Sequence, residues 1–250
     1  MSPLDLTLDF AHALDAVAFA EDRLGFRPDP WQARMLRSEA RQIVLNCCRQ
    51  AGKSTTTAIL GLHTAIYEPG SLILLVSPSQ RQSRELFQKL TTFLRGVEPN
   101  PEEDNRLSCG LSNGSRIVSL PGDPKTVRGY SAPRLVIEDE AGYVSDELYA
   151  AIRPMRATNP RSRLILMSTP NGRRGHYFET WTGGEGWERI KIVGKECPRI
   201  SPEHLDQEMR ELGPQLFSQE YEGAFIDAAA SAFSSELIEQ ALTDEFEIFA

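Results

Sequence analysis

Short apolar runs recur along the chain, and longer stretches of helical periodicity separate them. Ile43–Asn46, Leu72–Ser77, Leu135–Ile137 and Leu164–Met167 each read as strands, rich in Leu, Ile and Val and too short to be helices. Between them the pattern predicts helices over Ser54–Tyr67 and Gln80–Leu94. Upstream, Leu4–Leu24 is an amphipathic helical stretch, broken by Arg27-Pro28-Asp29-Pro30, and Trp31–Ser38 starts a new helix. Glu98–Asp104 reads as a loop, and Leu107–Leu120 as a hairpin turning at Ser112-Asn113-Gly114-Ser115. Asp123–Ala132 is a Gly/Pro/Ser-bearing loop. After Val193 the strand signal fades, and Ser201–Leu212 and Pro214–Tyr221 read as helices, with Ser201 as cap and Glu203 in the first turn. Strands separated by helices imply βαβ units: an α/β fold with a mostly parallel sheet flanked by helices, and a small helical C-terminal subdomain. The expected division is a core over 1–200 and a helical segment over 201–250.

The first strand supplies the most specific chemistry. Gln42–Thr55 reads QIVLNCCRQAGKST, a strand entering a loop that opens a helix. Such a loop suits a nucleoside triphosphate. Gly52 lets the backbone approach a phosphate, Lys53 reaches the β- and γ-phosphates, and Ser54 offers a hydroxyl to Mg²⁺. Gln50, Ala51 and Thr55 complete the cradle, in which free N–H groups of the helix start face the anion. The usual pattern GxxxxGK[ST] would place a glycine at position 47, where the chain has Cys47. Taken alone, the tripeptide is also compatible with an ordinary strand-to-helix turn.

The strand in RLVIEDEA (Arg134–Ala141) ends in Glu138, Asp139 and Glu140. Adjacent carboxylates at the end of a buried strand are costly unless they face a cation or a reacting water; the alternative is a solvated acidic turn. In the first reading Asp139 holds the Mg²⁺ shell and Glu140 orients and deprotonates the attacking water. Side-chain alternation points Glu138 the other way. The strand Leu164–Met167 runs into Ser168-Thr169-Pro170-Asn171-Gly172, which is either a plain turn or a third strand end beside the other two, where Ser168 or Thr169 senses the γ-phosphate.

Composition narrows the class. With 250 residues, 40% of them hydrophobic, the chain can bury a sizeable core. Cys47, Cys48, Cys109 and Cys197 form no CxxC pair, and His12, His63, His176 and His204 are scattered, so neither a zinc site nor a disulfide framework is expected. No signal peptide is recognisable, and no apolar run approaches the ~20 residues of a membrane span, so a soluble protein without a membrane partner is expected. Net charge is −8, yet Leu148–Phe178 contains no Asp or Glu and carries Arg153, Arg156, Arg161, Arg163, Arg173 and Arg174. That island suits a phosphate-backbone contact, an interface with an acidic neighbour, or a solvated face.

In order, these pieces resemble the large subunit of the phage terminase, the DNA-packaging motor. Trp31-Gln32 is similar to the family's adenine-recognition glutamine. Arg49-Gln50-Ala51-Gly52-Lys53-Ser54 is similar to its phosphate loop, which often lacks the first glycine. Arg128-Gly129 precedes Asp139-Glu140-Ala141 as it often does there, Ser168-Thr169-Pro170 resembles its coupling motif, and Phe217, Gln219-Glu220-Tyr221 and Phe225 resemble the segment closing its ATPase domain. The resemblance spans roughly Asp29–Phe233.

The resemblance implies a P-loop NTPase of the RecA/ASCE type that hydrolyses ATP with Mg²⁺ to translocate double-stranded DNA. Its partners would be a portal protein and a terminase small subunit. It would work as a homo-oligomeric ring at the procapsid portal in the cytoplasm of a bacterial host. Gln32 would read the adenine edge. Arg49 would stabilise the γ-phosphate in cis or stand as a surface arginine. Arg128 would be an arginine finger to a neighbouring subunit or a structural ion-pair partner. The family usually continues into a nuclease domain. Ser231-Ala232-Phe233, where that would begin, and the acidic Asp244-Glu245-Phe246-Glu247 show no surrounding strands, so no nuclease activity is expected from these residues. A helicase-like or other nucleic-acid-remodelling ATPase, or a nucleotide-dependent assembly or adaptor protein, remains the alternative.

Overall fold

The computed structural model describes residues 3–97 and 103–226. Three helices lead in: α1 (Pro3–Leu14), α2 (Ala16–Leu24) and α3 (Pro30–Arg37). The core then alternates as β1 (Gln42–Cys47), α4 (Lys53–Tyr67), β2 (Leu72–Ser77) and α5 (Gln80–Val97). Next come β3 (Glu103–Asp104), β4 (Ser108–Gly110), β5 (Arg116–Pro121), α6 (Pro124–Val127) and β6 (Leu135–Asp139). The chain continues through α7 (Asp146–Met155), β7 (Arg163–Ser168), α8 (Gly175–Gly183), β8 (Glu188–Ile192) and α9 (Pro202–Glu222).

These strands form one eight-stranded sheet in the order β3-β4-β5-β2-β6-β7-β1-β8. From β5 to β8 all neighbours run parallel, while β3 and β4 are antiparallel additions at one edge. Helices cover both faces, which is why the central strands read as unbroken apolar runs. Ile43, Leu45, Ile73, Leu75, Ile137, Ile165 and Met167 face the side of α2, α4 and α5. Val44, Leu74, Val76, Val136, Leu164 and Leu166 face α7 and Tyr177 of α8. Pairing of Asn46 with Ser168 and of Asp139 with Met167 brings three strand ends level. The acidic strand β6 is not the direct neighbour of β1, because β7 lies between them.

The Leu4–Leu24 stretch folds as two helices rather than one. Asp15 interrupts it: its carboxylate accepts from Val17 N (2.9 Å), capping α2, and pairs with Arg37. The expected hairpin forms between β4 and β5, and Asn113 at its turn donates to Ala65 O and Ile66 O at the end of α4. Within the stretch read as the loop Glu98–Asp104, residues 98–102 lie outside the described ones, and Glu103–Asp104 extends the sheet as β3. The loop Asp123–Ala132 contains the single turn α6, capped by Asp123. The two C-terminal helices form α9, kinked at Gly213, where φ is 75°.

Three further elements, α7, α8 and β8, went unpredicted. In β8 the sequence Glu-Arg-Ile-Lys-Ile alternates polar and apolar residues, a half-buried edge-strand signal that was available. In α7 and α8, Pro154 and the flanking glycines mask the helical period. Among the described residues no helix is long and apolar enough to cross a membrane. The arginines of the basic island differ in their surroundings. Arg163 donates to Ser38 O (2.8 Å) and Ala40 O (3.1 Å), Arg156 to Ser162 O (3.2 Å) and Arg41 O (3.3 Å), and Arg173 to Phe225 O (3.3 Å). These three cations tie carbonyls of neighbouring segments together, while Arg153, Arg161 and Arg174 are exposed.

Two glycines separate backbone strain from steric fit. Gly223 (φ +67°) sits where an added Cβ would lie 2.6 Å from Asn46 Oδ1, whereas at Gly25 (φ +63°) a Cβ would meet nothing within 4 Å. Gly25→Ala should therefore cost only the left-handed penalty of ~1–2 kcal/mol, and Gly223→Ala more than that. Urea unfolding of both variants checks this; equal losses would mean that Asn46 yields freely.

Candidate functional site

The loop between β1 and α4 is built from conformations that most residues avoid. Gly52 (φ 89°) and Gln50 (φ 58°) both lie in the left-handed region, which glycine adopts freely and glutamine at a cost. Tertiary bonds hold that shape: Cys48 N donates to Ile192 O (2.9 Å) and Arg49 N to Glu220 O (3.0 Å). Cys47, standing where the usual glycine would be, is fully buried under the loop. Lys53, Ser54 and Thr55 open α4 and stay partly exposed, so the free N–H groups of the first turn remain available to an anion.

The end of β6 faces this loop. Asp139 is buried, and its Oδ1 accepts from Glu140 N (3.0 Å). Glu140, like Gln50, is a non-glycine residue in the left-handed region (φ 53°), and it starts a short 3₁₀ turn, Ala141–Tyr143. That turn swings its carboxylate across β7: Oε1 lies 3.0 Å from Lys53 Nζ, and Oε2 accepts from Ser168 Oγ at 3.5 Å. Gly142 allows the turn to pack on the end of β7, since a Cβ there would stand 3.1 Å from Ser168 Oγ and 3.2 Å from Thr169 O. Asn171 ties the two segments, donating to Gly142 O (2.9 Å). Thr169 is buried beside them. The three strand ends expected to converge do converge, and Glu138 points to the opposite face, where its Oε1 is 2.6 Å from His176 Nε2.

Charge is concentrated here. Burial, reinforced by the adjacent Glu140 and opposed by Lys53, pushes the Asp139 carboxyl up to about 6. Burial works against the Lys53 ammonium, but Glu140 and Asp139 outweigh it, and its pKa is raised. Two carboxylates facing one ammonium leave negative charge unneutralised in a buried place, which a divalent cation would relieve. A carboxylate and a hydroxyl, as at Asp139 and Ser54, are oxygen donors of the kind a hard cation takes. Among the described residues no three or more His, Cys, Asp or Glu gather into a group that could hold a metal by themselves.

Gln32 is buried in the first turn of α3, its Oε1 accepting from Asp29 N (2.8 Å). Its Nε2 abuts the phosphate loop, where a Cβ on Gly52 would come within 2.8 Å of it. The neighbouring Trp31 packs against the core. Arg199, not singled out from the sequence, completes this corner. It donates to Asp29 Oδ2 (2.6 Å) and Ala51 O (2.5 Å), clamping α3 to the loop. Nothing in its surroundings, Cys-Pro-Arg-Ile-Ser, signals the role. Arg49 forms an ion pair with Glu220 of α9. Arg128 caps the C-terminal end of α6, exposed, and no ion pair engages it among the described residues.

A phosphate-type loop on β1, an acidic end on β6 and an intervening β7 define the fold of a P-loop NTPase with the additional central strand. Comparisons agree. The Thermus phage P74-26 large terminase ATPase domain superimposes with a TM-score of 0.73 at 22% identity, over 82% of this chain and 97% of that one. A second large terminase, from another thermophilic bacteriophage and solved in complex with ADP, gives 0.61 at 10% identity, over 85% of this chain and 52% of that one. By sequence, the terminase large subunit of Thermus phage G20c is 28% identical over 84% of this chain and 51% of that protein. The family model for the terminase large subunit, T4likevirus-type, N-terminal, matches residues 44–240. The chain belongs to this family. It spans about half the length of the curated relatives it matches.

The Asp139 shift carries a sign. Its folded pKa of about 6 lies above the ordinary 3.8, so the folded protein binds more protons and loses stability as pH rises across that interval. Asp139→Asn should therefore be more stable than wild type above pH 6, by at most about 3 kcal/mol, and no more stable below pH ~4. Thermal unfolding in chelator across this range checks the sign; a gap that widens toward low pH would refute it.

Proposed function

We propose that this chain is the ATPase motor of a large terminase, hydrolysing ATP to translocate double-stranded DNA into a procapsid. The observation that carries the reading is the Lys53–Glu140 ion pair of 3.0 Å, formed where the phosphate loop, the acidic strand end and the Ser168 strand end meet. Family membership supports it, as does the ADP complex of the second bacteriophage terminase, which has the same fold.

In this reading the backbone N–H groups from Gln50 to Thr55 and the Lys53 ammonium bind the phosphates. Lys53 then exchanges its Glu140 partner for phosphate oxygens, and Glu140 becomes free to accept a proton from water. Ser54 and Asp139 would hold Mg²⁺, which supplies charge neutralisation on the phosphates when bound. Ser168, within reach of Glu140, and Thr169 beside it report the γ-phosphate to the following segment. The Gln32 amide offers Nε2 to a purine N7, and Oε1, already accepting once, has a second lone pair for adenine N6. Arg49 reaches a phosphate only by leaving Glu220. Arg128, free of ion pairs among the described residues, suits delivery to a neighbouring subunit of a homo-oligomeric ring.

Double-stranded DNA, a portal protein and a terminase small subunit are the partners this assigns, in the cytoplasm of a bacterial host at the procapsid portal. Ser231-Ala232-Phe233 and Asp244-Glu245-Phe246-Glu247 lie outside the described residues, and the proposal assigns them no nuclease role.

Glu140→Gln should retain nucleotide binding and lose turnover by at least ~10²-fold, the usual scale for a general base, whereas Lys53→Ala should weaken binding itself. Undiminished hydrolysis by folded Glu140→Gln would sink the assignment. For Arg128, subunits carrying Arg128→Ala should hydrolyse ATP ~10³-fold or more slowly, yet bind it normally. Mixing them with Lys53→Ala subunits should restore part of the activity, since an intact loop can then border an intact Arg128. Assembled mixed rings without recovery would place Arg128 in cis or in a structural role.

A further inference from the structure

One carboxylate beside the site takes no part in the chemistry above, yet is completely buried. Glu138 is 0% exposed, and its Oε2 has no hydrogen-bond partner among the described residues. Its Oε1 lies 2.6 Å from His176 Nε2. The other ring nitrogen, Nδ1, stands 3.1 Å from Asp146 Oδ1, which also accepts the backbone N–H of His176 at 2.8 Å. The Tyr149 ring stacks on the imidazole, 4.3 Å between centroids and 12° from parallel. With Glu138 protonated, as its burial favours, the carboxyl donates to Nε2 of a neutral ring; with Glu138 ionised, the ring donates from both nitrogens as an imidazolium. Burial disfavours that charge, but Glu138 and Asp146 outweigh it and the His176 pKa is raised.

The location gives this cluster a use. Glu138 immediately precedes Asp139. Asp146 opens α7, the helix that follows the Glu140–Tyr143 turn, and His176 lies in the first turn of α8, the helix that follows the Ser168-Thr169 strand end. One side chain thus joins the segment before the acidic pair, the segment after it, and the helix behind the hydroxyl strand end. All three contacts lie on the sheet face opposite Lys53. Glu140 itself stands in a left-handed conformation that a non-glycine residue keeps only when its surroundings enforce it.

We propose that His176 is a positioning residue: clamped between Glu138 and Asp146, it anchors the end of β6 so that Glu140 holds its turn toward Lys53. The inference rests on the reading of the site as an ATP hydrolase. A displacement of about 1 Å at a reacting group costs on the order of 10²-fold in rate, so a clamp on the far face can matter to turnover without touching nucleotide.

The test uses the full chain with His176→Gln, Glu138→Gln, and a double variant, Glu138→Met with His176→Leu, that removes the buried charges together. Steady-state hydrolysis, ATP affinity and the backbone amide NMR signals of Asp139 and Glu140 are measured on each folded protein. The expected result is a kcat lower by about 10- to 100-fold, with KM and ATP affinity within about twofold of wild type. The Asp139 and Glu140 amide signals should shift. The double variant should fold, because an apolar pair needs no compensation, and should still be slow. Should His176→Gln fail to fold, the double variant carries the test alone. Wild-type kcat in folded His176→Gln, or its restoration in the double variant, would overturn the inference and leave a packing role. If the unmodified chain hydrolyses no ATP, the functional reading fails separately. The amides then decide: a Glu140 signal unmoved by His176→Gln overturns the clamp, and a moved one upholds it.

Discussion

The site depends on one constraint, the common level at which β1, β7 and β6 end. Parallel strands in register place Asn46 beside Ser168 and Asp139 beside Met167, and the residues just beyond those ends are the ones that carry chemistry. Because β7 separates β1 from β6, Lys53 and Glu140 cannot meet by direct strand pairing. They meet because α4 begins immediately after Gly52 and because the left-handed turn at Glu140 carries its carboxylate back across β7. A slip of one residue in either ladder would invert the faces and bury Glu138 in place of Asp139 on the loop side. The register is held by apolar side chains on both faces, so the core and the site are parts of one arrangement.

The chemistry and its packing pull in opposite directions. A buried carboxyl raised to about 6 and three non-glycine residues at positive φ (two of them, Gln50 and Glu140, at the site) are costs that a structure selected for stability alone would shed. They persist where neighbours compensate: Lys53 between the two carboxylates, Arg199 across Asp29 and Ala51, and the backbone bonds of Cys48 and Arg49 to β8 and α9. The corner near Gln32 shows the same economy. Gln32 caps its own helix through Oε1 while presenting Nε2 to the loop, so one amide serves folding and recognition.

Much of this was legible in the sequence, for a physical reason. Strands buried on both faces must be continuously apolar, and a phosphate loop requires glycine, lysine and a hydroxyl in fixed order, so β1, β2, β6, β7 and the residues from Gln50 to Thr55 announce themselves. Glu138 pointing away from Asp139 followed from strand alternation alone. What stayed hidden depends on distant partners. Arg199 meets Asp29 across 170 positions of chain, and His176 finds Glu138 only because α8 folds over β6. Charge along a sequence does not reveal direction: within the arginine island Arg156, Arg163 and Arg173 donate to backbone carbonyls, whereas Arg153, Arg161 and Arg174 are exposed. Arg49 is free for phosphate in the sequence, and only the fold of α9 supplies Glu220 to it.

That last contact has a mechanical meaning. The end of α9 is fastened to the base of the phosphate loop at two points, Arg49 to Glu220 and the Asn46 amide to Gly223 O (2.9 Å). Both fasteners grip β1 and its loop within a few residues of Lys53. The segment leaving α9 is thus tied to the phosphate loop through Asn46 and Arg49, and to α8 through the Phe225 ring on Tyr177 and Phe178. By the reciprocity of coupled equilibria, whatever reshapes that corner slackens or tightens the same tether. The hitch of α9 is the loop itself.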